Sequence, residues 1–153
     1  MSADIEKIWV TRAGFPAVAT MIDNQYRCGY VGVSPLSPFH RLEYYEDNIL
    51  LSDIYQSTLQ KNSGTTNFPI AIDHVIEVHG GITYSGSLAY LEPKAYRGHW
   101  WFGFDCAHAG DMVYRANAST TLAVSVRTLN FVIEQSEKVA DQLGALVPYD
   151  YRY

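Results

Sequence analysis

Cysteine is scarce in this chain, and long apolar runs and clusters of basic residues are missing from it. Only two of the 153 residues are cysteines, Cys28 and Cys106, which is too few for the disulfide framework of a small secreted domain. No apolar run approaches the roughly 20 residues needed to cross a bilayer. The start MSADIEKIW lacks the pattern of a signal peptide. The sequence therefore predicts a cytoplasmic protein with reduced thiols and no membrane partner.

The charge is mildly acidic and evenly spread. The formal net charge is −5, and the eleven Lys and Arg residues form no basic stripe of the kind that duplex binding requires. Long nucleic acid is therefore excluded as a general partner. A small nucleotide is compatible with this composition, because one or two arginines, backbone amides and stacking aromatics suffice to hold it.

The composition predicts one domain over residues 1–153. With 48% hydrophobic residues, a chain of this length buries enough surface to fold without a structural metal or cofactor, and no cofactor is predicted. Twelve of the 21 aromatic residues are tyrosines. Tyrosine suits both a well-packed sheet and the lining of a pocket or interface.

Alternating apolar segments separated by turn residues predict an α+β fold. KIWVT, FPAVATMI and YRCGYVGV are predicted to form an antiparallel meander, and IAIDHVIEVHGG, ITYSGSLAYL and HWWFGFD further strands. EYYEDNILLSDIYQSTLQ predicts a shorter central helix, and the segment from Ser119 or Thr120 to Leu146 a long C-terminal one. These two helices are expected to cover an antiparallel or mixed sheet. His74 falls on the apolar face and is predicted to be a core histidine.

Two segments concentrate the reactive residue types, and they cover residues 73–81 and 104–111. If both lie at one edge of the sheet, their side chains converge. In one interpretation His79 and His108 share general acid and base catalysis, with Asp105 or Asp111 orienting an imidazole. In another Cys106 is a nucleophile activated by histidine. An inert core thiol is the alternative for Cys106.

The same region also fits binding without turnover. Tyr84 and Trp101 are predicted to line a pocket, Gly80 and Gly81 to offer backbone amides, and Arg97 and Arg115 to contact phosphate. His40 and His99 are predicted to cap backbone groups. No HExxH or paired CxxC spacing is present, so no metal site is predicted.

Two longer motifs carry a resemblance to a known group of proteins. VHGGITYSG at residues 78–86 and WWFGFDCAHAGD at residues 100–111, with GYVGV at 29–33, resemble a family of small tailed-bacteriophage proteins. The resemblance implies a phage accessory protein that is expressed in the host bacterial cytoplasm. Such proteins often counter host defence, and some act on cyclic or ADP-ribose-derived nucleotide signals.

Three functions follow as expectations. The first is a phosphodiesterase-like hydrolase that degrades a host immune nucleotide. The second is a non-catalytic sponge, expected to be a homo-oligomer, that sequesters the same small nucleotide-type ligand. The third is an inhibitor that binds a host enzyme through the tyrosine-rich surface.

Overall fold

The structure is a computed structural model, and it describes residues 3–48, 51, 53, 70–88, 94–107 and 126–146. The described strands are β1 (Ala3–Val10), β2 (Pro16–Ile22), β3 (Tyr26–Val33), β4 (Tyr84–Gly86) and β5 (Trp100–Asp105). The described α-helices are α1 (Ile72–Val75) and α2 (Leu129–Leu146), and Lys94–Tyr96 form a 3-10 turn.

The five strands form one antiparallel sheet in the order β1-β2-β3-β5-β4. The predicted meander of the first three strands is confirmed. Asp23 and Asn24 connect β2 to β3 with φ angles of 49° and 56°, which Asn and Asp tolerate better than most residues. The predicted α+β class with an antiparallel sheet is therefore confirmed.

Helix α2 covers one face of this sheet. Its buried stripe includes Val132, Val139, Ala140 and Leu143, as the helical spacing predicts. Thr128 precedes the helix, and its hydroxyl accepts a hydrogen bond from the Phe131 amide at 3.1 Å, which is the contact of an N-cap. The predicted caps Ser119 and Thr120 lie outside the described residues, and residues 126–128 are not helical.

The strand predicted for residues 70–81 is wrong. Ile72–Val75 form a single helical turn, and the amides of Glu77 and His79 donate to the side-chain oxygens of Gln142 and Gln135 on α2, at 2.7 and 2.9 Å. Because the helix satisfies these backbone groups, the segment needs no neighbouring strand. Its apolar alternation therefore reports burial against α2 and not a strand.

Two further predictions for this central region need correction. His74 is not a core residue, because the turn of α1 leaves its side chain 63% exposed. The predicted central helix does not begin at Glu43, since none of residues 43–47 is helical. Asn48 instead accepts a hydrogen bond from the Leu51 amide at 2.9 Å, and Leu51 and Asp53 are helical. Residues 54–60 of that prediction lie outside the described residues.

Candidate functional site

The two predicted motifs do meet, through the β4–β5 pair. The Thr83 amide donates to the Gly103 carbonyl at 2.9 Å, and the Thr83 hydroxyl donates to an Asp105 carboxylate oxygen at 2.9 Å. The loop before β4 therefore lies beside the last residue of β5. His108, Asp111 and Arg115, which the sequence places in this site, lie outside the described residues.

The predicted residues at this end of β5 are engaged in packing and turns. The His79 ring packs edge-on against Phe131 of α2, with 5.1 Å between ring centroids. Gly80 and Gly81 have φ angles of 70° and 80°, and the Gly81 amide closes a turn on the Val78 carbonyl at 2.9 Å. Asp105 also accepts a hydrogen bond from the Ala107 amide at 3.0 Å.

Both residues of the predicted aromatic lining belong to a second cluster, separate from the main core. Trp101 is completely buried in a cluster with Val18 and Leu88, so its ring is not exposed to a ligand. The Tyr84 ring packs edge-on against Tyr30 at 5.5 Å, and its hydroxyl donates to the Ser87 carbonyl at 2.6 Å. Arg97 is exposed.

Both thiols are buried. Cys106 is completely buried in the main core, and Cys28 is 7% exposed. Burial raises the pKa of Cys28 to about 12, and the negative charge of Asp105 acts in the same direction. At pH 8 only about one Cys28 side chain in ten thousand is then a thiolate, so Cys28 is a poor nucleophile.

We therefore expect both thiols to resist chemical modification. In the folded protein at pH 8, their reaction with a disulfide reagent such as dithionitrobenzoate is expected to be at least about 100-fold slower than in urea. Because the pKa of Cys28 is raised above its ordinary value of 9.0, its contribution to folding stability is complete below pH 9 and is lost as the pH rises towards 12. A thiol that reacts equally fast in the folded and unfolded protein would contradict this assignment.

A pocket lies at the other end of the β4–β5 pair. It has a volume of about 320 Å³, which is in the lower part of the range for small-molecule sites, roughly 300–1,000 Å³. It opens near Trp100, five residues before Asp105 and therefore about 17 Å away along the strand. The described residues that line it are His40, Arg41, Ser87, Gly98, His99 and Trp100.

A rigid loop after β3 presents His40 and Arg41 to this pocket. The loop is a chain of turns, in which the hydroxyls of Ser34 and Ser37 accept hydrogen bonds from backbone amides two residues ahead, at 3.0 and 3.1 Å. Phe39 and Leu42 are 1% and 7% exposed and anchor the loop in the core. The two residues between these anchors consequently face outward.

Arg41 adopts an unusual backbone conformation. Its φ is 69°, and the Leu42 amide donates to the Phe39 carbonyl at 3.1 Å. Positive φ at the third position is typical of a type II turn, where glycine or asparagine is usual. An arginine with φ above zero is uncommon and costs conformational energy, and such residues concentrate at functional sites.

The pocket is locally basic on an acidic protein. The guanidinium of Arg41 forms no ion pair with any described carboxylate, and the described lining contains no Asp or Glu. Of its two histidines, His99 is 7% exposed and packs its ring against Tyr96 and Trp101, so the imidazole beside Arg41 is that of His40. An arginine in such surroundings is suited to binding phosphate or carboxylate.

Two hydrogen bonds fix the walls of the pocket. His40 Nε2 lies 2.7 Å from the Gly98 carbonyl oxygen, and since a carbonyl only accepts, Nε2 carries the proton. This contact agrees with the prediction that His40 caps a backbone group. The Trp100 indole nitrogen donates to the Leu42 carbonyl at 2.8 Å, which holds its ring beside His40.

Comparison with protein-family models, curated proteins and solved structures gives no match. Among the described residues no group of three or more His, Cys, Asp or Glu side chains is arranged to hold a metal ion. No helix within the described part of the chain is long and apolar enough to span a membrane.

Sequence reasoning missed His40 and Arg41 as members of a binding site. The loop SPLSPFHR carried a usable signal, because a serine- and proline-rich turn segment followed by two basic residues is typical of a rigid loop that presents them. The pairing of this loop with Gly98, 58 residues further along the chain, was not predictable from local pattern.

Proposed function

We propose that the protein binds and retains a small nucleotide-type ligand in the pocket lined by His40, Arg41 and Trp100. The observation that carries the proposal is the combination of the His40 imidazole, a tryptophan and an arginine that forms no ion pair with any described carboxylate, all around one cavity. Arginine forms bidentate hydrogen bonds to phosphate, and indole rings stack on nucleobases. The volume of about 320 Å³ fits about one nucleotide unit, so a larger ligand would place one phosphate and base in the pocket and the remainder outside it.

The resemblance to bacteriophage proteins supplies the biological setting of the proposal. A phage accessory protein in the host cytoplasm gains from removing a signalling nucleotide that triggers host defence. Cyclic dinucleotides and cyclic ADP-ribose isomers each carry phosphate beside a flat base. They are therefore the ligand class that we propose for the pocket.

Retention is favoured over hydrolysis by the described residues. Cys106 and Cys28 are buried, and His79 and Asp105 lie at the end of the β4–β5 pair remote from the pocket. Acid–base catalysis by His79 and His108 stays a prediction, because His108 lies outside the described residues. The same holds for Asp111 as an orienting group.

One incubation separates the candidate functions. Purified protein is mixed with cyclic dinucleotides and cyclic ADP-ribose isomers, and with AMP and inorganic phosphate for comparison. Free ligand is measured after ultrafiltration, and total ligand after heat denaturation. We expect at least one cyclic nucleotide to be depleted from the filtrate and recovered intact. Cleavage products would replace retention with hydrolysis, and no depletion of any nucleotide would contradict both and favour the protein-binding inhibitor.

A further inference from the structure

Strand β1 forms a long outer edge of the sheet. It lies at one end of the strand order and contains eight residues, whereas β4 at the opposite edge has three. No described strand pairs with its outer side. An edge of this length presents a row of backbone donors and acceptors that another strand can use.

A β-bulge at Glu6 gives this edge one apolar face. Ile5 pairs with Thr20 and Lys7 with Ala19, so Glu6 is an extra residue in the ladder. Because of the bulge, Ile5 and Ile8 lie on the same face although they are three residues apart. Ala3 and Val10 lie on that face too, opposite Ile22 and Pro16. Ile5 and Ile8 are each 40% exposed, and Val10 is 49% exposed.

The stripe has the symmetry of a two-fold axis. Its members are placed evenly about the midpoint between Glu6 and Lys7, so an antiparallel copy of β1 brings Ile5 opposite Ile8 of the second copy. The same register brings Glu6 opposite Lys7 of the second copy. Each of these pairs occurs twice, which is the requirement for an isologous interface. Matched apolar and opposite-charge pairs across strands stabilise such a ladder.

We propose that β1 pairs antiparallel with β1 of a second copy of this chain, extending the sheet across a two-fold axis. Within each copy the Glu6 carboxylate accepts two hydrogen bonds from Arg27 of β3, at 2.6 and 3.2 Å, so the pairing with Lys7 of the second copy adds to an existing ion pair. The Lys7 ammonium lies 5.8 Å above the Trp9 ring, on the face opposite the apolar stripe.

Bulges and edge lysines also occur in monomeric proteins as devices that block pairing. In β1 both devices favour self-pairing instead. The bulge is what aligns the four apolar residues, and the lysine faces a glutamate when two copies meet. The charge complementarity therefore selects a second copy over an unrelated strand.

Sedimentation of the wild-type protein and of Ile8→Lys tests the interface. We expect the wild type to be a dimer at micromolar concentration. The dissociation constant of the variant is expected to be at least about tenfold larger, because each copy then places one lysine in the apolar stripe. Leu36→Lys is the matched control, since Leu36 is 75% exposed on the loop after β3 and its substitution is expected to leave the dimer intact. Circular dichroism confirms that each variant is folded.

A charge-exchange experiment tests the register. Lys7→Glu and Glu6→Lys each place like charges across the two-fold axis, whereas a mixture of the two variants restores both opposite-charge pairs. We expect native mass spectrometry of the mixture to show mainly the mixed dimer. A wild-type protein that is monomeric at 100 μM (about the upper end of a useful assay range) overturns the proposal, as does a dimer that Ile8→Lys leaves unchanged or a mixture without preference for the mixed dimer.

Discussion

Replacing Arg41 with glycine is expected to weaken retention of the bound nucleotide about 10- to 100-fold without lowering the stability of the protein. The loss follows because charge-assisted hydrogen bonds to phosphate disappear. Stability is preserved because glycine adopts the positive φ of 69° without the steric cost that arginine pays. We expect the free energy of unfolding to stay unchanged or to rise by up to about 1 kcal/mol.

Calorimetry with the cyclic nucleotide that the wild type retains measures the first effect, and urea unfolding the second. Lys138→Ala is the matched control, because it removes the same charge from an exposed position on α2. It is expected to change neither property. Arg41→Lys keeps the charge and loses the planar fork, so binding is expected to fall between wild type and Arg41→Gly. Binding by Arg41→Gly that equals the wild type would remove Arg41 from the site.

The largest stability effect is expected at Gly29, in the middle of β3. A Cβ at this position would lie 2.6 Å from both the Phe104 ring and the Ser136 hydroxyl of α2. Gly29→Ala therefore forces the helix away from the sheet or displaces a buried aromatic ring. We expect a loss of about 3 kcal/mol in the free energy of unfolding.

The variant Gly81→Ala is the control that adds backbone strain without steric crowding of the new Cβ. Gly81 has a φ of 80°, and no atom lies within 4 Å of an added Cβ, so only the conformational cost of about 1 kcal/mol is expected. Urea titration of both variants, with unchanged dependence on denaturant, gives the comparison. A Gly29→Ala variant that is as stable as Gly81→Ala would show that the contact between α2 and β3 is loose.

The local sequence pattern was sufficient to predict the elements in which apolar residues recur at strand or helix spacing. In β5, which the sequence predicted as a strand, Trp100, Phe102 and Phe104 pack in or against the main core and Trp101 packs in the second cluster. Gly29 within β3 marks a close approach, because a ring of the adjacent strand lies beside it.

Pattern failed where a distant side chain satisfied the backbone. The alternation around Ile76 and Val78 resembles a strand, but Gln135 and Gln142 of α2 supply the hydrogen bonds that a neighbouring strand would otherwise supply. Nothing in residues 70–81 reports the existence of these partners. A correct assignment of residues 70–81 therefore required knowledge of the tertiary structure.

The pocket beside Arg41 lies at the end of the strand pair where the sequence indicated no site, for similar reasons. Reactive residue types concentrate near Asp105, whereas the pocket forms where the loop of His40 and Arg41 meets Gly98 and Trp100. His40 and His99 lie outside the two segments rich in reactive residues, and the sequence predicted only that they cap backbone groups. Nothing in the sequence indicates the positive φ of Arg41. Such a site arises from loop packing and not from residue density.

Backbone amide chemical shifts, recorded while the retained cyclic nucleotide is titrated into ¹⁵N-labelled protein, test the central claim most directly. We predict saturable shifts at His40, Arg41, Ser87 and Gly98, and at the Trp100 indole. The amides of His79, Thr83 and Asp105, at the other end of β5, are expected to stay unchanged. Shifts confined to His79, Thr83 and Asp105, with none in the pocket, would contradict the account and return the site to the motifs that the sequence first indicated.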